Sequence, residues 1–389
     1  MSIPAAPSPR DIWDITIIGA GIAGASVAYF ASAAAAGTKS VLLLEREAQP
    51  GMHSTGRSAA VFMESYGSAQ VRALTRASRP FFDAPPAGFA SSPVLHPRAA
   101  LFIASQDQLA ELKTLHTTLL AEGCPAQWLT GAEALALVPV LRPDAAVAAV
   151  LDPLAADMDV HTLHQGFLRG ATGHGVTLRC NAELLGAAPA PHGWTLQTPQ
   201  GPVHTRLLVN AAGAWADTVA LMAGVGPIGL QPKRRSAFVF EVPAEHAAAA
   251  AHWPSVSSID ETFYFKPDAG LLLGSPANED PVAPHDVMPE ELDIATGIAR
   301  IEAATTLHIR RPRRTWAGLR SFVADGDLVG GFDCAVPGFF WVAAQGGYGI
   351  QTSAAMGALC AAQLLGQPRP AWAAAADAVL PSLGPRRNI

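Results

Sequence analysis

The sequence predicts an α/β fold: a parallel-sheet unit assembled from separate stretches of chain, with a β-rich α+β unit inserted between them. Three observations predict it. Near the N-terminus, residues 12–18 (IWDITII) read as a strand, about 22–36 as an apolar helix, and 40–45 (SVLLLE) as a second strand. That is one βαβ unit, whose parallel strands need a helical crossover. Near the C-terminus, residues 339–345 (FFWVAAQ) read as a strand entering a Gly-rich turn, followed by a helix over 350–365. Between these ends, FVFEVP (238–243), TFYFKP (262–267) and GLLLGSP (270–276) have β character and interrupt sections of the first kind. With 389 residues the chain exceeds one typical core and fits about two domains.

The remaining elements follow the same reading. Helices are expected over 68–82, 106–122, 161–173 and 288–306, and strands over 176–180, 193–199 and 206–213. The Ala-rich stretches 246–251 and 371–378 read as helical surface, and residues 1–10 as a loose Pro- and Ser-rich arm. The expected division gives 10–98, 156–230 and 315–389 to the parallel-sheet domain. It gives 99–155 and 231–314 to the inserted one.

Composition narrows the functional classes. Half the residues are apolar and 15% are charged, as in a globular chain with much buried surface. A net charge of −6 without a long basic run points away from nucleic acid as a partner. The four cysteines, Cys124, Cys180, Cys334 and Cys360, form no CxxC motif. No disulfide framework or metal site is expected, and a reducing cytoplasm is the default location. Residues 15–37 are apolar and long enough to span a bilayer, but four glycines punctuate them. A buried strand, tight turn and buried helix explain the stretch better, so no transmembrane segment is expected. The N-terminus MSIPAAPSPRD has no secretory pattern.

The chemistry begins at Gly19-Ala20-Gly21-Ile22-Ala23-Gly24, between the first strand and the first helix. Gly19 permits the tight turn, Gly21 lets a pyrophosphate approach the backbone, and Gly24 allows close packing of helix on strand. Glu45 ends the second strand, 21 residues past Gly24, where a carboxylate can bond ribose hydroxyls. Together these define a Rossmann-like dinucleotide site, open to NAD or FAD. The loop after the acid decides for FAD. Arg46-Glu47 leads into Pro50-Gly51-Met52-His53-Ser54-Thr55-Gly56-Arg57-Ser58-Ala59-Ala60, small and polar enough to run along an extended flavin dinucleotide. The late loop Gln345-Gly346-Gly347-Tyr348-Gly349-Ile350-Gln351-Thr352 permits backbone close to a ring system. A helix starting after it could stabilise negative charge on the reduced flavin.

At these residues the sequence resembles the D-amino acid oxidase family of FAD-dependent oxidoreductases. Asn210-Ala211-Ala212-Gly213-Ala214-Trp215, Trp316-Ala317-Gly318-Leu319-Arg320 and the late glycine loop carry the likeness. It is closest to the bacterial FAD-dependent D-arginine dehydrogenases, through EREAQPG, HSTGRSAA, LQPKRRSAF, FKPDAG, LLGSPAN, LDIATG, TWAGLRSFVADGDLV and WVAAQGGYGIQTSAAMG. The resemblance implies cofactor contacts at Gly19, Gly21, Ile22, Gly24, Glu45, Arg46, Ser54, Thr55, Arg57, Ser58, Ala59, Leu184, Ala212, Gly213, Gly346, Gly349, Ile350 and Thr352. No cysteine occupies Leu319–Arg320, where covalent relatives carry one, so FAD is expected to be non-covalent.

The resemblance also implies a substrate site. Arg235 and Arg320 match arginines that hold a substrate carboxylate, for which a bidentate guanidinium is the best partner. Tyr66 and Tyr264 match pocket tyrosines. A phenol with a pKa near ~10 is a poor base, so both are assigned to orientation. The Gly347 carbonyl would hold the amino group while the Cα hydride passes to flavin N5. Ala100 stands where the D-arginine enzymes carry a glutamate, and Val61 where they carry a histidine. Met63 is a further pocket residue. Burying a cation without a partner costs several kcal/mol. The expected reaction is therefore oxidative deamination of D-amino acids to 2-oxo acids and ammonia, with apolar or aromatic side chains preferred over basic ones. Glu64, on the strand parity of Tyr66, could supply a replacement acid. Alternatives are a secondary-amine (sarcosine, proline or hydroxyproline) oxidase or dehydrogenase and a flavin 2-hydroxy-acid dehydrogenase. A binding or electron-carrying protein is the reading from another class. A quinone or dye is the expected electron acceptor, with oxygen left open.

Overall fold

A computed structural model describes residues 12–385; the arm expected over 1–10 lies outside the described residues. Strands Thr177–Arg179, Val41–Leu44, Ile12–Ile18, Gly201–Asn210 and Phe339–Ala343 lie side by side in parallel. On the free side of Gly201–Asn210 an antiparallel hairpin, Gly186–Ala190 and Gly193–Thr198, pairs with its first half, and Val329–Phe332 pairs antiparallel with Phe339–Ala343 beside its second half. Helices Ile22–Ala35, Val160–Gly173 and Ser353–Leu365 cover one face. Ile15, Ile17, Leu43 and Val209 pack beneath them, while Ile18, Leu42, Leu44 and Leu208 fill a second core on the other face. Both faces are covered, which is why these strands read as continuous apolar runs. The stretch 15–37 is the expected strand, turn and helix, and no described helix is long and apolar enough to cross a membrane.

A second, nine-stranded sheet runs Asp280–Pro281, Gln231–Phe240, Leu271–Ser275, Tyr264–Asp268, Ser255–Ser258, Ala100–Ala104, Ala148–Asp152, Gln127–Thr130. Its ninth strand, Arg314–Phe322, pairs antiparallel with Gln231–Phe240 along its whole length. The expected domain boundary at 315 thus falls inside a strand of this sheet. Gly318 and Arg320 broke the apolar alternation that would have marked it. Helix Glu291–Ala304 packs on the sheet, and the short strands Val61–Phe62, Leu95–Pro97 and Ala156–Met158 form a third, small sheet.

Two expectations are corrected. The stretch 371–378 is no surface α-helix: Ala371–Ser382 is a 3-10 helix against helix Ala69–Asp83, with Ala373 and Ala376 fully buried. The last helix starts at Ser353 rather than 350, because Tyr348–Thr352 curls into a turn closed by the Thr352 amide on the Tyr348 carbonyl.

Candidate active site

The first helix opens onto a cavity. Its N-cap residue, Gly21, makes no side-chain cap, and its first turn carries no acid. Amides at such an end and the helix dipole favour an anion. Gly19 has φ +98, and a Cβ there would strike the Ala211 carbonyl. A Cβ at Gly24 would lie inside the radius of the Gly19 carbonyl oxygen. The Ile22 amide donates to Thr55 Oγ1 at 3.0 Å and the Ala20 amide to Glu45 Oε2 at 3.0 Å. A cleft of about 1220 Å³ follows, lined by Gly19, Gly21, Ile22, Glu45, Arg46, Ser54, Thr55, Leu184, Ala212, Gly213 and Gly346. A second cavity of about 660 Å³ shares Ile22, Ser54, Thr55 and Gly346 with it and adds Arg57, Ser58, Ala59, Gly349 and Ile350. A third shares Ser58, Ala59, Arg235, Tyr264, Arg320 and Gly347 with the second and adds Val61, Met63 and Tyr66. The result is one continuous track, with an uncapped helix end and a carboxylate at one end and paired guanidiniums at the other. Its glycine-lined turn, the Glu45 carboxylate and the shared lining of the three cavities fit a flavin dinucleotide.

Three expected site residues stand off the track. Gly24 packs helix on strand, Thr352 is fully buried with its hydroxyl on the Tyr348 carbonyl, and Ala100 is 2% exposed beneath the pocket wall. A methyl group is too short to reach the cavity from there. Glu64 also turns away: it is buried and accepts from Arg79 Nε. Only Val61–Phe62 is strand there, so the parity argument from Tyr66 does not apply.

Alternation explains the arginines. In the register of Gln231–Phe240 with Arg314–Phe322, Arg235 lies opposite Gly318 and Lys233 opposite Arg320. Arg235 and Arg320 are therefore diagonal neighbours on one sheet face. Arg234, on the other face, pairs with the buried Asp293 at 2.7 Å. Arg235 donates to the Asn278 carbonyl and to Glu279, each within 2.9 Å. Burial, together with the like charge of Arg320, pulls Arg235 below its ordinary range. Burial opposes ionisation of Glu279, but Lys233 and Arg235 hold its carboxyl below the ordinary value. Arg320 has no carboxylate partner among the described residues. It donates to the Tyr66 hydroxyl at 3.5 Å and presses on Gly347, where a Cβ would sit 2.6 Å from Nη1. Burial raises the Tyr66 phenol, and Arg320 offsets this only in part. Tyr66 is thus a neutral phenol at working pH, not a base.

The sequence reading missed several residues. Gln345 and Leu319 line the track, Trp215 stacks beneath the Arg46 guanidinium at 4.6 Å, and Glu261 accepts from the Tyr66 hydroxyl at 3.2 Å. His164, on helix Val160–Gly173, bonds the Ala20 carbonyl at 2.8 Å and so braces the glycine turn from behind. No local motif marks a lone helical histidine. Burial lowers its pKa below the ordinary 6.5. A depressed histidine leaves stability intact above the unfolded value and loses it as pH falls below. Melting temperature should decline below about pH 6.5. His164→Asn should flatten that decline; an unchanged profile in the variant would assign it to other groups.

These observations define an α/β protein with a dinucleotide-type glycine turn and, at the far end of the adjoining track, a pocket lined by two arginines. Residues 14–363 match the family FAD dependent oxidoreductase (DAO), and the chain belongs to that family. It is 27% identical over 277 residues to mitochondrial dimethylglycine dehydrogenase of Rattus norvegicus, covering 70% of this chain and 32% of that enzyme. It is 30% identical over 132 residues to mitochondrial sarcosine dehydrogenase of Mus musculus, covering 32% of this chain and 14% of that enzyme. It spans a third or less of these relatives. Glycine oxidase from Geobacillus kaustophilus superposes with TM-score 0.82 at 20% identity, covering 97% of this chain and all of that one. L-proline dehydrogenase from P. horikoshii gives 0.76 at 20%, covering 92% and 95%. The structural likenesses establish the fold.

Proposed function

We propose that the chain oxidises the Cα–N bond of a small D-amino acid with an uncharged side chain, using non-covalently held FAD. One observation carries this: two guanidiniums on one sheet face, at the end of the flavin track, of which Arg320 forms no ion pair among the described residues. An α-carboxylate satisfies both. When bound, the flavin supplies the two-electron acceptor. The protein's part is positioning. Arg235 and Arg320 hold the carboxylate, the Tyr66 and Tyr264 hydroxyls orient the head group, and the Gly347 carbonyl accepts from the amine. Since Tyr66 stays protonated, the amine proton leaves to water. None of the four cysteines lines the track, which supports a non-covalent cofactor. The resemblance of the quoted runs to those of D-arginine dehydrogenases is what favours the D configuration and an acceptor such as a quinone or dye in this reading. Among the residues lining the third cavity, the one carboxylate is the exposed Glu261 at its mouth, which argues against a cationic side chain.

A second reading, a secondary-amine substrate, is favoured by the names of the relatives, which act on dimethylglycine, sarcosine and proline. An anaerobic panel separates the two. D-leucine, D-methionine and D-phenylalanine should bleach the flavin, with D-arginine and D-lysine at least about tenfold lower in kcat/KM. Faster bleaching by sarcosine or L-proline would replace this proposal with the second reading, faster bleaching by a primary L-amino acid would refute the D configuration, and a win for D-arginine would refute the side-chain preference.

A further inference from the structure

The wall facing away from the arginines contains polar groups that an apolar pocket does not need. Phe102 pairs with Ser257, and Ser257 pairs with Tyr264, so three adjacent strands place one row of side chains across this wall. One step along the strand, Ser255 stands beside Ala100. Val256, between the serines, is fully buried in the core behind the sheet with Leu101. Alternation therefore turns both serines toward the cavity, and both line it. Among the described residues no side chain bonds either hydroxyl. Phe102, opposite Ser257 on one side, offers no partner, and Tyr264, on the other, forms no side-chain bond to it among the described residues.

A hydroxyl that lines a cavity without a protein partner is left to water or ligand. Each serine donates one hydrogen bond and accepts two, and neither carries charge. A primary carboxamide, with two N–H groups and one carbonyl, complements such a pair. No charged side chain bonds either serine among the described residues, and the cavity's one carboxylate, the exposed Glu261, accepts from the Tyr66 hydroxyl. We propose that Ser255 and Ser257 form a side-chain subsite that recognises a carboxamide, so that D-glutamine- or D-asparagine-like substrates are selected over apolar isosteres. This rests on the reading above and narrows it.

The test compares kcat/KM within two matched pairs, D-glutamine against D-methionine and D-asparagine against D-leucine, on the FAD-loaded enzyme. In the wild type the carboxamide should win in at least one pair. The S255A/S257A double variant should lower that ratio at least about tenfold, since each unpaired amide group is then left in an apolar wall. Flavin content and melting temperature report folding. Ser257→Cys, which keeps volume but weakens the donor, gives the same reading if the double variant does not fold. An apolar win in both pairs, or ratios unmoved by either variant, overturns the subsite while leaving D-amino acid oxidation standing. Failure of every D-amino acid to bleach the flavin overturns the reading on which it rests.

Discussion

Replacing Arg320 by methionine should lower kcat/KM about a thousandfold, ~4 kcal/mol, with the flavin still bound. Truncating one partner of a desolvated charge pair costs 2–5 kcal/mol or more, because the other charge stays buried without its complement. Here the abandoned charge is the substrate carboxylate, faced only by Arg235, whose guanidinium is already shared with Glu279 and the Asn278 carbonyl. Arg320→Lys should recover only part of the loss, since an ammonium cannot reproduce the bidentate fork. Steady-state kinetics and the flavin absorbance of each variant decide the matter. A loss of less than tenfold would mean that the carboxylate is held elsewhere.

Gly24→Ala should yield protein that no longer retains FAD, with affinity lowered at least about a hundredfold, ~2.7 kcal/mol. The added methyl would overlap the Gly19 carbonyl and crowd the Ala211 side chain, 3.3 Å away. Both obstacles belong to the turn and strand that set the phosphate-facing amides, so the helix must retreat from the place where it meets the anion. Gly173→Ala, where an added Cβ meets nothing within 4 Å, is the matched control and should stay yellow. Stoichiometric FAD in purified Gly24→Ala protein would contradict the assigned role of the turn.

The nucleotide end of the site was legible because its chemistry is local. Gly19, Gly21 and Glu45 lie within one βαβ unit, where spacing alone fixes geometry. Arg235 and Arg320 were legible only through resemblance, since no spacing announces a diagonal across two strands 85 residues apart in chain number. What stayed hidden was created by pairing. No motif marks Ser255 and Ser257; only strand register sets them beside Ala100 and Phe102. The option that Glu64 faces the pocket rested on strand parity with Tyr66, and the strand there is only two residues long. His164 was invisible because its partner, the Ala20 carbonyl, lies 144 positions away.

The strand Arg314–Phe322 carries Arg320, yet it is also fastened to the loop that follows Glu45. Ser54 Oγ donates to the Leu319 carbonyl at 2.6 Å, Trp316 Nε1 to the Arg57 carbonyl at 3.0 Å, and Arg57 returns a bond to the Ala317 carbonyl. Stitches at successive positions leave no slack for either part to drift alone. The two sheets therefore behave mechanically as one frame across this seam. The loop that lines the dinucleotide track and the strand that carries Arg320 are thus held in one frame by the same few bonds.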